Sequence, residues 1–157
     1  MAKTDSGSSS KVSTTNLEKV LDEQVANLNV LYVKLHHYHW YVKGENFYTL
    51  HIKFEELYNE VTEMMDAIAE RMLTLKGSPA ATMKQYLKLA TIQEASGKEE
   101  SRMMVQNLIE DFATLCESFH EGIELADKNN DQVTSDLLTG FEGDLEKHMW
   151  MLRSFLG

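Results

Sequence analysis

A chain of 157 residues with a formal net charge of −10 is long enough to bury one substantial core as a single domain, and its charge on average repels nucleic acid and membrane surfaces while attracting cations. One proline and eight glycines, set in long stretches whose apolar residues recur every three or four positions, point to an all-helical protein. The lone cysteine, Cys116, excludes an internal disulfide. No apolar run reaches the roughly 18 residues that a membrane helix needs, and residues 1–16 lack the apolar centre of a secretory signal; a soluble, cytoplasmic protein is expected.

Residues 1–16 are rich in Ser, Thr and Gly, offer nothing to pack, and are expected to form a flexible tail before a helical domain over residues 17–157. Thr15 and Glu18 have capping-box spacing, so the first helix is expected to start near Leu17. Leu17, Leu21, Leu28, Leu31, Leu35, Tyr38 and Val42 mark its buried side, and Gly44 supplies a left-handed stop. His39 lies at the edge of that stripe; His36 and His37 lie further round, as bystanders. The second helix is expected over residues 47–76, capped by Asn46 and ended by Gly77 and Pro79. Its apolar side is Phe47, Leu50, Phe54, Leu57, Val61, Met64, Ile68, Met72 and Leu75, and a third face carries Glu56, Glu60 and Glu63.

A short amphipathic piece follows between residues 80 and 90, then a polar link over residues 91–97. The third helix, expected over residues 100–127, buries Val105, Leu108, Phe112, Leu115, Phe119 and Ile123, and Cys116 falls on the same stripe as a small core residue. It also holds Glu117 and His120 in the Glu-x-x-His spacing that di-iron bundles carry on two helices. Position 145 is Leu, so no second copy exists, and the pair reads as surface. Asp127, Asp131 and Asp136 punctuate the turn into the fourth helix, with Asp131 placed to cap it. His148 sits among apolar neighbours of that helix, as a satisfied core histidine.

The residue types that carry chemistry concentrate on the second helix. With His51 at zero, about 100° per residue puts Glu55, Asp66 and Glu70 near +40°, +60° and +100°, while the apolar stripe centres near −80°. The four face away from their own core. Along the axis His51 and Asp66 lie about 22 Å apart and His51 and Glu70 about 28 Å, far beyond the span of ligands on one metal ion. One helix cannot close such a site. Either these are unrelated surface groups, or an antiparallel second copy, related by a two-fold axis near residue 60, brings Asp66 and Glu70 opposite His51. Histidine and carboxylate donors without thiolates suit iron, zinc or manganese.

The ordered motifs Gln24 to Asn29, His36-x-x-His39-Trp40 to Gly44, Asn46 to His51, Phe54 to Tyr58, Asp66-x-x-x-Glu70-Arg71, Gly77-Ser-Pro79, Gly122 to Leu125 and Lys147 to Met151 resemble the Dps family of miniferritins over about residues 17–157. That resemblance implies a ferritin-like four-helix bundle with a short extra helix between helices two and three, and a hollow dodecameric shell built from two-fold dimers. It implies ferroxidase chemistry on iron: Fe(II) oxidised, with hydrogen peroxide preferred, and ferric mineral stored inside, protecting DNA from oxidative damage. It makes His39 and His51 ligands from one subunit and Asp66 and Glu70 those from its neighbour, with Glu55 serving a second iron. It places Trp40 near the site and Asp127, Asp131 and Asp136 at three-fold pores. Position 55 is often Asp in relatives, and Gln132 stands where some have another Asp. Two rival functions remain open: a protein that binds and compacts DNA through its tail, and a di-iron enzyme acting within one bundle.

Overall fold

The structure, a computed structural model, describes residues 8–157, and their side chains from residue 15. Five helices and no strand occupy the described residues: α1 Ser8–Tyr41, α2 Phe47–Thr74, α3 Met83–Leu89, α4 Ser101–Lys128 and α5 Gln132–Leu156. The pairs α1/α2 and α4/α5 form two helical hairpins, α1 packs on α4, and α3 lies against α1. This is the expected four-helix bundle with its short extra helix.

The predicted stripes are what the bundle buries. Leu21, Leu28, Leu31, Leu35 and Tyr38 of α1 meet Phe54, Leu57 and Ile68 of α2 and Phe112 and Phe119 of α4 in one core. The tightest crossing needs a glycine: a Cβ on Gly122 would stand 2.6 Å from Leu138 Cδ1 and 3.0 Å from Gln24 Nε2. Asn27, fully buried on α1, accepts hydrogen bonds from the backbone N–H groups of Thr91 (2.8 Å) and Ile92 (3.0 Å), and so fixes the polar link to the bundle.

Three boundaries differ from the sequence reading. α1 begins at Ser8, so residues 8–16 are helix rather than tail; the remainder of the tail expectation, residues 1–7, lies outside the described residues. No glycine or proline interrupts residues 8–17, and adding turns to an existing long helix needs no new nucleus. α2 ends at Thr74, and the left-handed residue is Lys76 (φ 67°) rather than Gly77. Gly77 serves instead by close approach: its N–H reaches Met72 O at 2.8 Å, and a Cβ there would sit 3.2 Å from the same oxygen. Asn46 occupies the N-cap of α2 without a side-chain cap bond. By contrast Gly44 does adopt a positive φ, 101°, and Asp131 caps α5 by accepting the Thr134 N–H.

Candidate metal centre

The α1/α2 turn places His39, in the last turn of α1, against His51, in the first turns of α2. Val42 N–H closes on Tyr38 O at 2.9 Å, Gly44 reverses the chain, and Phe47 N–H returns to Gly44 O at 3.1 Å. The two imidazoles then stack, with centroids 3.7 Å apart and planes 16° from parallel. Each spends Nδ1 on the other's backbone: His39 Nδ1 lies 2.7 Å from His51 O, and His51 Nδ1 lies 2.7 Å from His39 O.

A carbonyl oxygen only accepts, so both Nδ1 atoms carry the proton. In the neutral rings the lone pair is therefore on Nε2, the form in which histidine ligates metals. Among the described residues neither Nε2 takes part in a hydrogen bond. His39 is only 8% exposed and His51 is half-buried, so the donors are held rather than mobile.

Glu55 stands one turn beyond His51, exposed. Asp66 and Glu70 stand one turn apart near the other end of α2, also exposed. Among the described residues no hydrogen bond or ion pair engages either carboxylate. The structure thus brings His39 and His51 together and leaves Asp66 and Glu70 apart from them. Among the described residues, no group of three or more His, Cys, Asp or Glu side chains could hold a metal ion.

Two neighbours escaped the sequence reading. His36, taken as a bystander, donates Nδ1–H to Tyr32 O (3.0 Å) and stacks on Tyr58 with centroids 3.9 Å apart. Tyr58 in turn presents its edge to His39 at 5.5 Å. The spacing of three between His36 and His39 was the available signal, since it puts both on one helix face. His37 instead meets Tyr41, with centroids 4.7 Å apart and planes tilted by 34°. Trp40, 66% exposed, meets His36 edge-on at 5.2 Å.

Other chemistry-bearing residues have internal partners. His148 is 7% exposed, with Nε2 2.5 Å from Glu60 Oε2, but its buried Nδ1 has no partner. It is therefore a half-satisfied core histidine, not the fully satisfied one expected. Donating Nε2–H to Glu60 leaves the orphan Nδ1 as a bare lone pair, whereas protonation would bury an unmatched N–H. Glu56 pairs with Lys53 at 3.0 Å, so of the three glutamates on that face only Glu63 has no such partner. Glu117 and His120 are exposed, with His120 3.6 Å from Glu142, and form no core site.

Asp131 is committed as well. Its Oδ1 accepts from Arg71 at 2.7 Å and from the Thr134 N–H at 3.1 Å. Partial burial pushes its carboxyl up, but the Thr134 bonds and the Arg71 guanidinium outweigh that and hold it below the ordinary value. Asp127 and Asp136 remain exposed. Burial, followed by the Glu142 and Glu146 charges, pushes the Cys116 thiol up to about 11; it is an inert, half-buried core residue.

Comparison with known proteins gives the class first: residues 18–157 match the ferritin-like domain family. General stress protein 20U of Bacillus subtilis is 50% identical over 141 residues, 90% of this chain and 97% of that one. DNA protection during starvation protein 2 of Bacillus anthracis is 50% identical over 138 residues, 88% and 94% of the two chains. Among solved structures, a Dps protein from Bacillus brevis superposes with a TM-score of 0.91 at 45% identity, covering 93% of this chain and 98% of that one. Dps from Thermosynechococcus elongatus gives 0.92 at 34% identity, over 96% of each chain. The chain belongs to the Dps family of ferritin-like proteins.

Proposed function

We propose that the protein is an iron-storage and detoxification protein with ferroxidase activity, whose oxidation site is built between two copies of the chain. The observation that carries this reading is the locked histidine pair: among the described residues the two Nε2 atoms take part in no hydrogen bond, while the Asp66 and Glu70 carboxylates stand unpaired further along α2, too distant to join them. A two-fold copy brings one chain's carboxylates to the other chain's imidazoles and forms the site twice per dimer.

Fe(II) is the substrate. His39 and His51 bind it from one subunit and Asp66 and Glu70 from the neighbour, with Glu55 beside His51 to take a second ion. Carboxylates favour the harder Fe(III) and so lower the potential and drive the oxidation. Two Fe(II) supply two electrons, which reduce hydrogen peroxide to two waters on uptake of two protons. Hydrolysis of the two Fe(III) then releases protons and deposits ferric oxyhydroxide inside a dodecameric shell. Withdrawing Fe(II) and peroxide together removes both reactants of hydroxyl-radical formation, which protects DNA without contact. That fits the names carried by the relatives from Bacillus anthracis and Listeria, DNA protection during starvation proteins.

Anaerobic addition of Fe(II) followed by peroxide, with the products run on size exclusion with light scattering and iron absorbance, tests the reading. Iron co-eluting with a particle about twelve times the 18.0 kDa chain is the expected result. Iron lost as precipitate, beside protein eluting as monomer or dimer, would remove storage from the account.

A further inference from the structure

The carboxylate half of the proposed iron site has no side-chain support of its own, since among the described residues no hydrogen bond or ion pair engages the carboxylate of Asp66 or Glu70. Their direction depends on the backbone of α2, and Glu70 lies in the final turns of a helix that stops at Thr74. Helix ends fray unless tertiary contacts hold them. The next residue makes such a contact. Arg71 donates Nε–H to Thr134 Oγ1 at 2.8 Å and a terminal N–H to Asp131 Oδ1 at 2.7 Å.

The ring closes through Thr134, whose hydroxyl donates to Asp131 Oδ2 at 2.5 Å and whose backbone N–H donates to Oδ1 at 3.1 Å. Thr134 is fully buried. The side chains of Arg71 and Asp131 are 17% and 14% exposed, so the fork is largely shielded from water and directional. A carboxylate, a hydroxyl and a guanidinium thus pin the last turn of α2 to the first turn of α5.

We propose that Arg71 is a positioning residue for the iron site, fixing Glu70 by clamping the end of α2 to Asp131 and Thr134. The proposal rests on the reading of Asp66 and Glu70 as ligands. It also reassigns Asp131, whose charge is neutralised by Arg71 and which anchors the α4/α5 turn; any attraction of cations by that turn falls to Asp127 and Asp136.

Cobalt(II) is the probe, titrated into the assembled full-length protein and followed by its d–d absorbance, which reports ligand geometry as well as occupancy. Arg71→Gln keeps amide donors but loses the charged fork, and Thr134→Val breaks the ring from α5 without touching α2. Both are expected to weaken cobalt binding, Arg71→Gln by about tenfold, the effect usual for residues that orient ligands, and to alter the d–d spectrum. Arg71→Lys, which keeps the charge, is expected to fall between. Asp66→Ala serves as the control and is expected to abolish binding.

If Asp66→Ala abolishes binding while Arg71→Gln and Thr134→Val reproduce the wild-type isotherm and spectrum, the positioning role is overturned and the ligand reading stands. If Asp66→Ala binds as wild type does, the ligand reading falls and takes the proposal with it. Helical content and light scattering establish that each variant is folded and assembled. Should Arg71→Gln fail that check, Thr134→Val decides alone.

Discussion

His39 and His51 each use the other's backbone carbonyl, not the other's ring, to fix the Nδ1–H tautomer. Truncating one ring therefore removes one proposed ligand and leaves its neighbour's Nδ1–H tautomer in place. His39→Ala is expected to lower the rate of Fe(II) oxidation at least about 100-fold, with helical content retained, while Glu117→Ala stays within about twofold. Stopped-flow absorbance of the ferric product measures both. The meeting of His39 and His51 was legible in the sequence through the motifs that carry them, while the part assigned to Asp66 and Glu70 rests on the proposed pairing of two chains. The protonation of the two rings was not legible, since it depends on where the turn around Gly44 delivers two carbonyl oxygens. His148 is in the core as expected, but that Glu60 satisfies its Nε2 and nothing satisfies its Nδ1 was not legible, since its surroundings come from helices distant in sequence.

Among the elements, periodicity revealed α2, α4 and α5 within a few residues, because their apolar stripes are continuous and each is bounded by turn chemistry. The start of α1 was hidden because a capping-box pattern at Thr15 and Glu18 can sit inside a helix that simply continues. At the C-terminal end of α2, which the sequence reading gave to Gly77 and Pro79, it is Lys76 that holds the left-handed conformation (φ 67°). Lys76→Gly is accordingly expected to stabilise the protein by up to about 1 kcal/mol, seen as a raised Tm. Gly44→Ala should do the reverse, costing about 1–3 kcal/mol at φ 101° and misaligning the two imidazoles, which a weaker cobalt isotherm would register.

The Arg71–Asp131 tie gives the α2/α5 contact a pH dependence. Asp131 titrates lower in the folded chain than its ordinary value, chiefly because the bonds from Thr134 and Arg71 outweigh its partial burial. Its contribution is therefore complete above the unfolded value of about 3.9, and is lost as pH falls through the lowered folded value. Asp131→Asn keeps a capping oxygen and removes the charge. Its stability deficit, about 2 kcal/mol near neutral pH for hydrogen bonds to a charged group, is expected to vanish in acid. A deficit that persists unchanged there would assign the effect to capping rather than charge.

For the molecule as a whole, the proposed function is a property of the assembly. In the proposed reading a single chain carries two half-sites, His39 and His51 where α1 meets α2 and Asp66 and Glu70 further along α2, that cannot meet, as the rise of a helix between His51, Asp66 and Glu70 already implies. What the sequence could not supply was the support around each half: His36 and Tyr58 lie in the motifs but gave no sign of stacking behind His39, and Arg71 lies beside Glu70 but its partners Asp131 and Thr134 come from a segment some sixty residues away. Subunit mixing tests the central claim most directly. His51→Ala and Asp66→Ala protein, each inactive alone, are dissociated, combined in equal amounts and reassembled, and Fe(II) oxidation by peroxide is followed. In a mixed dimer one site loses both ligands and the other regains the full set, so random pairing is expected to restore roughly a quarter of wild-type activity. Recovery of no activity from mixed, correctly assembled shells would contradict a site shared between subunits.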